Sequence, residues 1–436
     1  MPDIEIIIIG GGLAGSEAAW QCAKHGVKVR LYEMRPAVMT PAHRTGLLAE
    51  LVCSNSLKSN SPTTASGILK DEMRKLDSLI MRAADANTVP AGEALAVDRD
   101  KFAAVVTEEL ERHPNINIVR EEITSIPQNR LKVVATGPLT SDALSAEISA
   151  ITGEQHFYFY DAIAPIIDAE SIDYDKVYRA SRYGKGEEAY INCPLNRMEY
   201  DAFWEALISA EKAPCREWEN IKFFEGCLPV EELAARGRRT LAFGPLKPVG
   251  LVDPRVGKRP YAVVQLRQEN VEATMYGLVG FQTRLKWPEQ KRVFRMIPGL
   301  ENAEFIQYGA VHRNTYINSP KLLMRTLQLK KSPSLLLAGQ LTGVEGYLES
   351  AAIGLLAGIN VARLAQGKLP VEAPRETMMG ALASFLIEPE PKSFQPMNAN
   401  FAILPPIIPK PHDKEERRRL LIERAHTVFA EWVEGL

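Results

Sequence analysis

Cysteine is scarce in this chain and is not arranged for metal or dithiol work. Five occur in 436 residues, Cys22, Cys53, Cys193, Cys215 and Cys227. No two stand at the C-x-x-C spacing of zinc sites or redox motifs. An odd, scattered set argues against a disulfide framework, and a reduced, cytoplasmic protein without zinc is expected. Aromatic residues make up only 7% of the chain. No apolar run reaches the length of a membrane-spanning helix. The apolar opening strand lacks a basic leader and ends in glycine, unlike a signal peptide. Internal repeats and low-complexity tracts are absent. What remains is an ordinary globular composition, 46% apolar and 24% charged, in a chain long enough for two or three domains.

The net charge of −2 conceals an asymmetry. Residues 234–331 carry 18 Lys and Arg against 6 Asp and Glu. Arg236, Arg238 and Arg239 form one short run, and Arg255, Lys258 and Arg259 another. A basic segment between acidic flanks suggests a polyanionic partner. The bland alternative is a solvated basic face with no partner.

The strongest signal stands at the start. Ile4 to Ile9 runs into Gly10-Gly11-Gly12-Leu13-Ala14-Gly15, then Ser16-Glu17-Ala18-Ala19-Trp20. This reads as a buried strand, a glycine turn and a helix of small residues. Gly10, Gly12 and Gly15 give the G-x-G-x-x-G spacing of a dinucleotide-binding unit. The first permits the turn, the second admits a pyrophosphate, and the third lets helix and strand approach. A helix N-terminus here offers N–H donors to phosphate. A second strand, Val27 to Tyr32, ends in Glu33, an acid suited to the hydroxyls of an adenosine ribose. This unit holds a nucleotide cofactor without saying which one.

Farther on, Ser66 to Ala86 reads as one helix and Lys101 to Arg112 as another, with Asp98 or Asp100 as N-cap. Strands are expected at Ile116–Val119 and Leu131–Val134. Between about 190 and 317 the β/α rhythm gives way to an insertion, with strands at Tyr261–Leu266 and Ala273–Gly280. The rhythm returns with Ser334–Ala338, a second glycine-rich turn from Gly339 to Tyr347, and a helix from Leu348 to Gln366. The second turn contains Gly339, Gln340, Gly343, Gly346 and Tyr347 and can approach another part of the same cofactor. Glu388 to Pro411 reads as irregular and Lys414 to Trp432 as a terminal helix. No second G-x-G-x-x-G follows a strand, so a nicotinamide nucleotide has no domain of its own.

Two glycine turns enclosing an insertion suggest FAD stretched across both halves. The stretches between them are more specific: Leu31-Tyr32-Glu33-Met34-Arg35-Pro36, Glu50-Leu51-Val52-Cys53-Ser54-Asn55-Ser56-Leu57, Phe224-Glu225-Gly226-Cys227-Leu228-Pro229, Phe243 to Leu251, His312 to Pro320, and Gly339 to Tyr347. Together they closely resemble the bacterial folate- and FAD-dependent tRNA (uracil-5-)-methyltransferase family, TrmFO.

The resemblance implies an α/β fold: a Rossmann-like, glutathione-reductase-like FAD-binding domain with an inserted α+β domain. The expected division is 1–190 and 318–436 for the FAD-binding parts and 191–317 for a basic, tRNA-binding insertion. The implied reaction makes 5-methyluridine at position 54 of the tRNA T-loop. Its carbon comes from 5,10-methylenetetrahydrofolate, and NADPH or NADH reduces the FAD. Cys227 would be the thiolate that adds to uracil C6, with Cys53 taking part near the flavin. Gly10, Gly12, Leu13, Ala14, Gly15, Glu33, Gly339, Gln340, Gly343, Gly346 and Tyr347 would bind FAD. His312 would stack on the folate pterin, with Arg313, Trp287, Arg284, Arg236, Arg238 and Arg239 as further folate or tRNA contacts. No membrane and no obligatory protein partner is expected. The competing readings are a GidA-like flavoprotein that modifies the wobble uridine with a GTPase, and an FAD oxidoreductase of a small molecule.

Overall fold

The computed structural model describes residues 4–154, 157–184, 187–213, 228–392 and 394–436, with 157–161, 312 and 313 described by backbone alone. Cys215 and Cys227 lie outside the described residues.

The opening strand, Glu5–Ile9, is enclosed, with Ile6 to Ile9 each no more than 5% exposed. Isoleucines facing both ways suit a strand covered on both faces, as parallel sheets require. It pairs in parallel with Lys28–Tyr32 on one side and Lys132–Val134 on the other. The six-stranded sheet runs Gln328–Leu329, Ser332–Leu337, Lys132–Val134, Glu5–Ile9, Lys28–Tyr32, Ile116–Val119. Only the Gln328–Leu329 edge pairs antiparallel. The chain moves outward from the opening strand in one direction and later resumes on its other side. That reversal creates a crevice at the carboxyl ends of the central strands, where open α/β sheets bind ligands.

The helix Leu13–Lys24 leaves the first turn and packs along Tyr347–Ala365. Small residues make this contact close. A Cβ on Gly354 would lie 2.2 Å from the Ala14 carbonyl oxygen, and one on Gly358 would lie 2.7 Å from that of Ala18. Tyr347–Ala365 has the length and apolarity to cross a membrane, which the expectation from apolar runs missed, yet Leu348 to Ala362 are buried throughout in the core.

A second six-stranded sheet is built from Tyr178–Arg179, Tyr190–Leu195, Ala262–Gln268, Met275–Leu278, Ile166–Asp168 and Phe305–Gln307, in that order. Its pairings are antiparallel. Tyr200, Phe203, Phe281 and Phe294 fill the core beneath it. Two of its strands precede residue 190, where the sequence suggested a boundary. They are only three and two residues long, too short to carry a readable alternation.

The helix expected from Ser66 to Ala86 is two helices, Ala65–Lys75 and Leu79–Ala86. Asp77 adopts a left-handed conformation at φ 56°. The Ser78 hydroxyl accepts the Met81 N–H at 3.1 Å and caps the second helix. The apolar periodicity carries across this break, which is why it reads as continuous. The Asp98 cap is as expected: its carboxylate accepts the Lys101 N–H at 3.0 Å at the head of Arg99–Arg112.

Candidate active site

The first turn is shaped by backbone contacts. Gly10 sits at φ 102°, and a Cβ on Gly15 would fall 1.7 Å from the Gly10 carbonyl oxygen. Gly12 faces open space, and no side chain caps the helix it precedes. The first N–H groups of that helix are therefore available to an anion. A cleft of about 1010 Å³ opens here. Gly10, Gly12, Leu13 and Ala14 line it at the first turn, Glu33 to one side, and Gln340 and Tyr347 at the second turn. Gly15 packs beneath the turn instead. Gly339, Gly343 and Gly346 have φ values of 73°, 95° and 114°, so they shape the second turn.

Glu33 is buried and tightly held. Its Oε2 accepts the Gly11 N–H at 2.9 Å, and its Oε1 accepts the Arg35 N–H at 3.0 Å and Nε at 2.9 Å. Burial pushes its carboxyl up, but the Arg35 hydrogen bond and charge, with these N–H groups, hold it below the ordinary carboxylate range. Arg35 reaches on to Glu50 Oε2 at 3.1 Å. Sequence reasoning missed Arg35 as a functional residue, although it stands in the quoted Glu33-Met34-Arg35 stretch.

Tyr347, which lines the cleft, also meets Cys53. The tyrosine oxygen accepts the backbone N–H groups of Cys53 at 2.7 Å and Ser54 at 3.3 Å. It also lies 2.8 Å from Cys53 Sγ. With both lone pairs engaged, its hydroxyl hydrogen is directed to sulfur. Burial, and then the Cys53 charge, push the Tyr347 hydroxyl well above its ordinary value, so it stays a donor. The other described cysteines are unlike this. Cys22 and Cys193 are fully enclosed, and burial raises both thiols. Cys22 Sγ rests 3.4 Å from the Gly358 carbonyl oxygen, a packing role.

The basic residues divide by environment. Arg236, Arg238 and Arg239 are exposed. Arg238 holds Asp201 at 2.8 Å, and Arg239 lies 5.0 Å from the ring centre of Phe243, itself 72% exposed. Lys258 and Arg259 are exposed on the following loop. Arg284 differs: it is half-buried and held by Glu232 at 2.6 Å. Its guanidinium is engaged within the domain, which the charge count could not show. Trp287 is 63% exposed and stacks on Tyr308, with centroids 5.2 Å apart and planes at 14°. His312 and Arg313 lie on Val311–Tyr316, which pairs antiparallel with Phe157–Ala162.

The fold and crevice define an α/β protein of the dinucleotide-binding, flavoprotein-like class. Two crystal forms of Aquifex aeolicus GidA superpose with TM-scores of 0.70 and 0.68 at 19% and 18% identity, covering 98% of this chain and 73% and 76% of theirs. The model of the family described as "Glucose inhibited division protein A" matches residues 5–369. Relatives named "Methylenetetrahydrofolate--tRNA-(uracil-5-)-methyltransferase TrmFO" are closer in sequence. The Pelotomaculum thermopropionicum protein is 61% identical over 420 residues, 96% of each chain. The Enterococcus faecalis protein is 59% identical over 432 residues, 99% of each. The chain belongs to the TrmFO family, within the wider GidA family.

Proposed function

We propose that this protein methylates C5 of a tRNA uridine, using 5,10-methylenetetrahydrofolate as carbon donor and FAD reduced by NADPH or NADH. The target on this reading is the T-loop uridine at position 54, and the place of action is the cytoplasm. The observation that carries it is the near-full-length similarity to relatives bearing that enzyme name.

The residues of the cleft fit FAD. Unpartnered helix N–H groups beside Gly12 suit its diphosphate, and the ionised Glu33 suits its ribose. Gln340 and Tyr347, from the second turn, line the same cleft and would contact the cofactor. FAD bound there supplies the reducing equivalents that turn a transferred methylene into a methyl group.

The remaining chemistry falls to side chains. C5 of uracil is a weak nucleophile until a thiolate adds across C6. Cys227, from its Glu-Gly-Cys-Leu-Pro setting, supplies that thiolate. Cys53, hydrogen-bonded to Tyr347, takes the C5 proton as the uracil is released. His312 covers the pterin. A base in a structured loop must be extruded to be reached. The exposed Arg236, Arg239, Lys258 and Arg259 supply phosphate contacts for the loop, and Trp287 offers a stacking face.

The test is mass analysis of a T-loop minihelix after incubation with the protein, methylenetetrahydrofolate and NADPH, omitting each in turn. A gain of one methyl group that needs all components supports the reading. A strict need for a GTPase, or turnover of nicotinamide without RNA modification, overturns it.

A further inference from the structure

The Cys53 turn lies in a seam between the two cores. From the second sheet, Arg267 Nε donates to Asn55 Oδ1 at 2.7 Å, and its Nη2 donates to Ser54 Oγ at 3.1 Å. Asn55 Nδ2 returns a bond to the Gln268 carbonyl at 2.9 Å. From the first core, Arg99 Nη1 donates to the Leu51 carbonyl at 3.2 Å and the Val52 carbonyl at 3.4 Å. Its Nε meets Glu269 Oε2 at 2.9 Å. Glu269 is buried and Arg99 largely so, with side chains 3% and 15% exposed. Such a pair is costly unless its geometry does something else.

We propose that Arg99, set by Glu269, is a positioning residue for Cys53: it fixes the two carbonyls that precede the thiol and supplies the positive charge that favours the thiolate. The proposal rests on the reading that Cys53 takes part in the reaction. Arg99 heads its helix and so points its guanidinium at the turn rather than along the helix. Burial opposes its charge, but Glu269, Tyr347 and Cys53 face it and hold it firmly protonated. Arg44 also faces it, with Glu50 and Asp100 near that second cation. Arg267 approaches Glu269 at 3.8 Å. Around the sulfur, the Tyr347 hydroxyl donates a hydrogen and Arg99 supplies charge, the two conditions that lower a thiol's pKa.

The experiment measures the pH midpoint of iodoacetamide alkylation at Cys53 in the full-length flavoprotein, read peptide by peptide so that other cysteines are separated. Arg99→Met is expected to raise the midpoint by about one unit, slowing alkylation roughly tenfold at pH values below both midpoints. Arg99→Lys is expected to recover most of that shift by restoring the charge. A wild-type midpoint in folded, flavin-bearing Arg99→Met overturns the proposal. If Arg99→Met does not fold, Arg99→Gln replaces it, and a wild-type midpoint there overturns the proposal. Methyl transfer by Cys53→Ala would sink the role of Cys53 in the reaction yet leave these midpoint shifts standing, so the two failures are distinct.

Discussion

The Gly10–Gly15 turn and the Cys53 turn are built by different means. At the Gly10–Gly15 turn a Cβ on Gly10 or Gly15 has no room, Gly12 faces open space, and the buried Glu33 closes one side. At the Cys53 turn the walls are hydrogen bonds and buried charge from residues scattered along the chain: Arg99, Arg267, Glu269 and Tyr347. The first turn holds chiefly by close backbone packing, with one buried carboxylate beside it, and the second by a web of polar contacts from distant residues. A change at the first should act on cofactor retention and stability, and a change at the second on reactivity.

The sharpest way to break this contrast is Gly15→Val. Its side chain must displace the Gly10 carbonyl, so the protein should lose bound flavin and about 3 kcal/mol of stability. Visible absorbance and thermal unfolding measure both, and a stable, yellow Gly15→Val protein would remove the shape argument. The next effect tests whether polarity can enter the first core at a cost. Glu72 is wholly buried and accepts the Met378 and Met379 N–H groups, both at 2.7 Å, at the head of Met378–Phe385. Burial pushes its carboxyl up to about 8 from 4.5. The folded pKa is raised, so its contribution to stability is full below about pH 4.5 and is lost as pH rises toward 8. Glutamine removes the charge but sets an NH2 against one of the two N–H donors, a cost that does not depend on pH. Glu72→Gln should therefore flatten the pH dependence, its stability relative to the wild type rising by on the order of 3 kcal/mol between pH 5 and pH 8. Equal pH slopes in the two proteins would refute this.

Tyr347→Phe addresses the Cys53 turn. It leaves the Cys53 and Ser54 N–H groups without their acceptor and removes the hydrogen bond to sulfur. A cost of about 1–2 kcal/mol is expected, seen as a roughly tenfold loss of methyl transfer with flavin retained. The smallest effect distinguishes free from engaged cations. Lys258→Ala should reduce the salt dependence of tRNA binding by about one counterion, whereas Arg284→Ala, held by Glu232, should leave that slope near its wild-type value.

Legibility followed the same division. The opening strand, both glycine turns and their helices could be read because each is a local pattern: an apolar run, fixed glycine spacing, a stretch of small residues. The break at Asp77–Ser78 was hidden because the periodicity of Leu69, Met73, Leu76 and Ile80 crosses it without a pause. Cys53 stood out by its polar neighbours, but Arg99 and Glu269 did not. An arginine at a helix start and a glutamate after a strand carry no sign that they will meet. The same limit applied to Arg284, which a count of charges cannot separate from Arg239. What pairs with what is decided by how two sheets are brought together, and no local window contains that.

The order of strands in the first sheet has a consequence for the timing of assembly. Ser332–Leu337 lies beside Lys132–Val134, and the helix that follows it carries Tyr347 to the Cys53 turn. A nascent chain that has emerged only through the first glycine turn has half a crevice and an open sheet edge. The ribosome must release the whole second core before the missing strand and helix can arrive. Cofactor capture on this topology waits for a segment more than three hundred residues along the chain from the turn that begins the crevice.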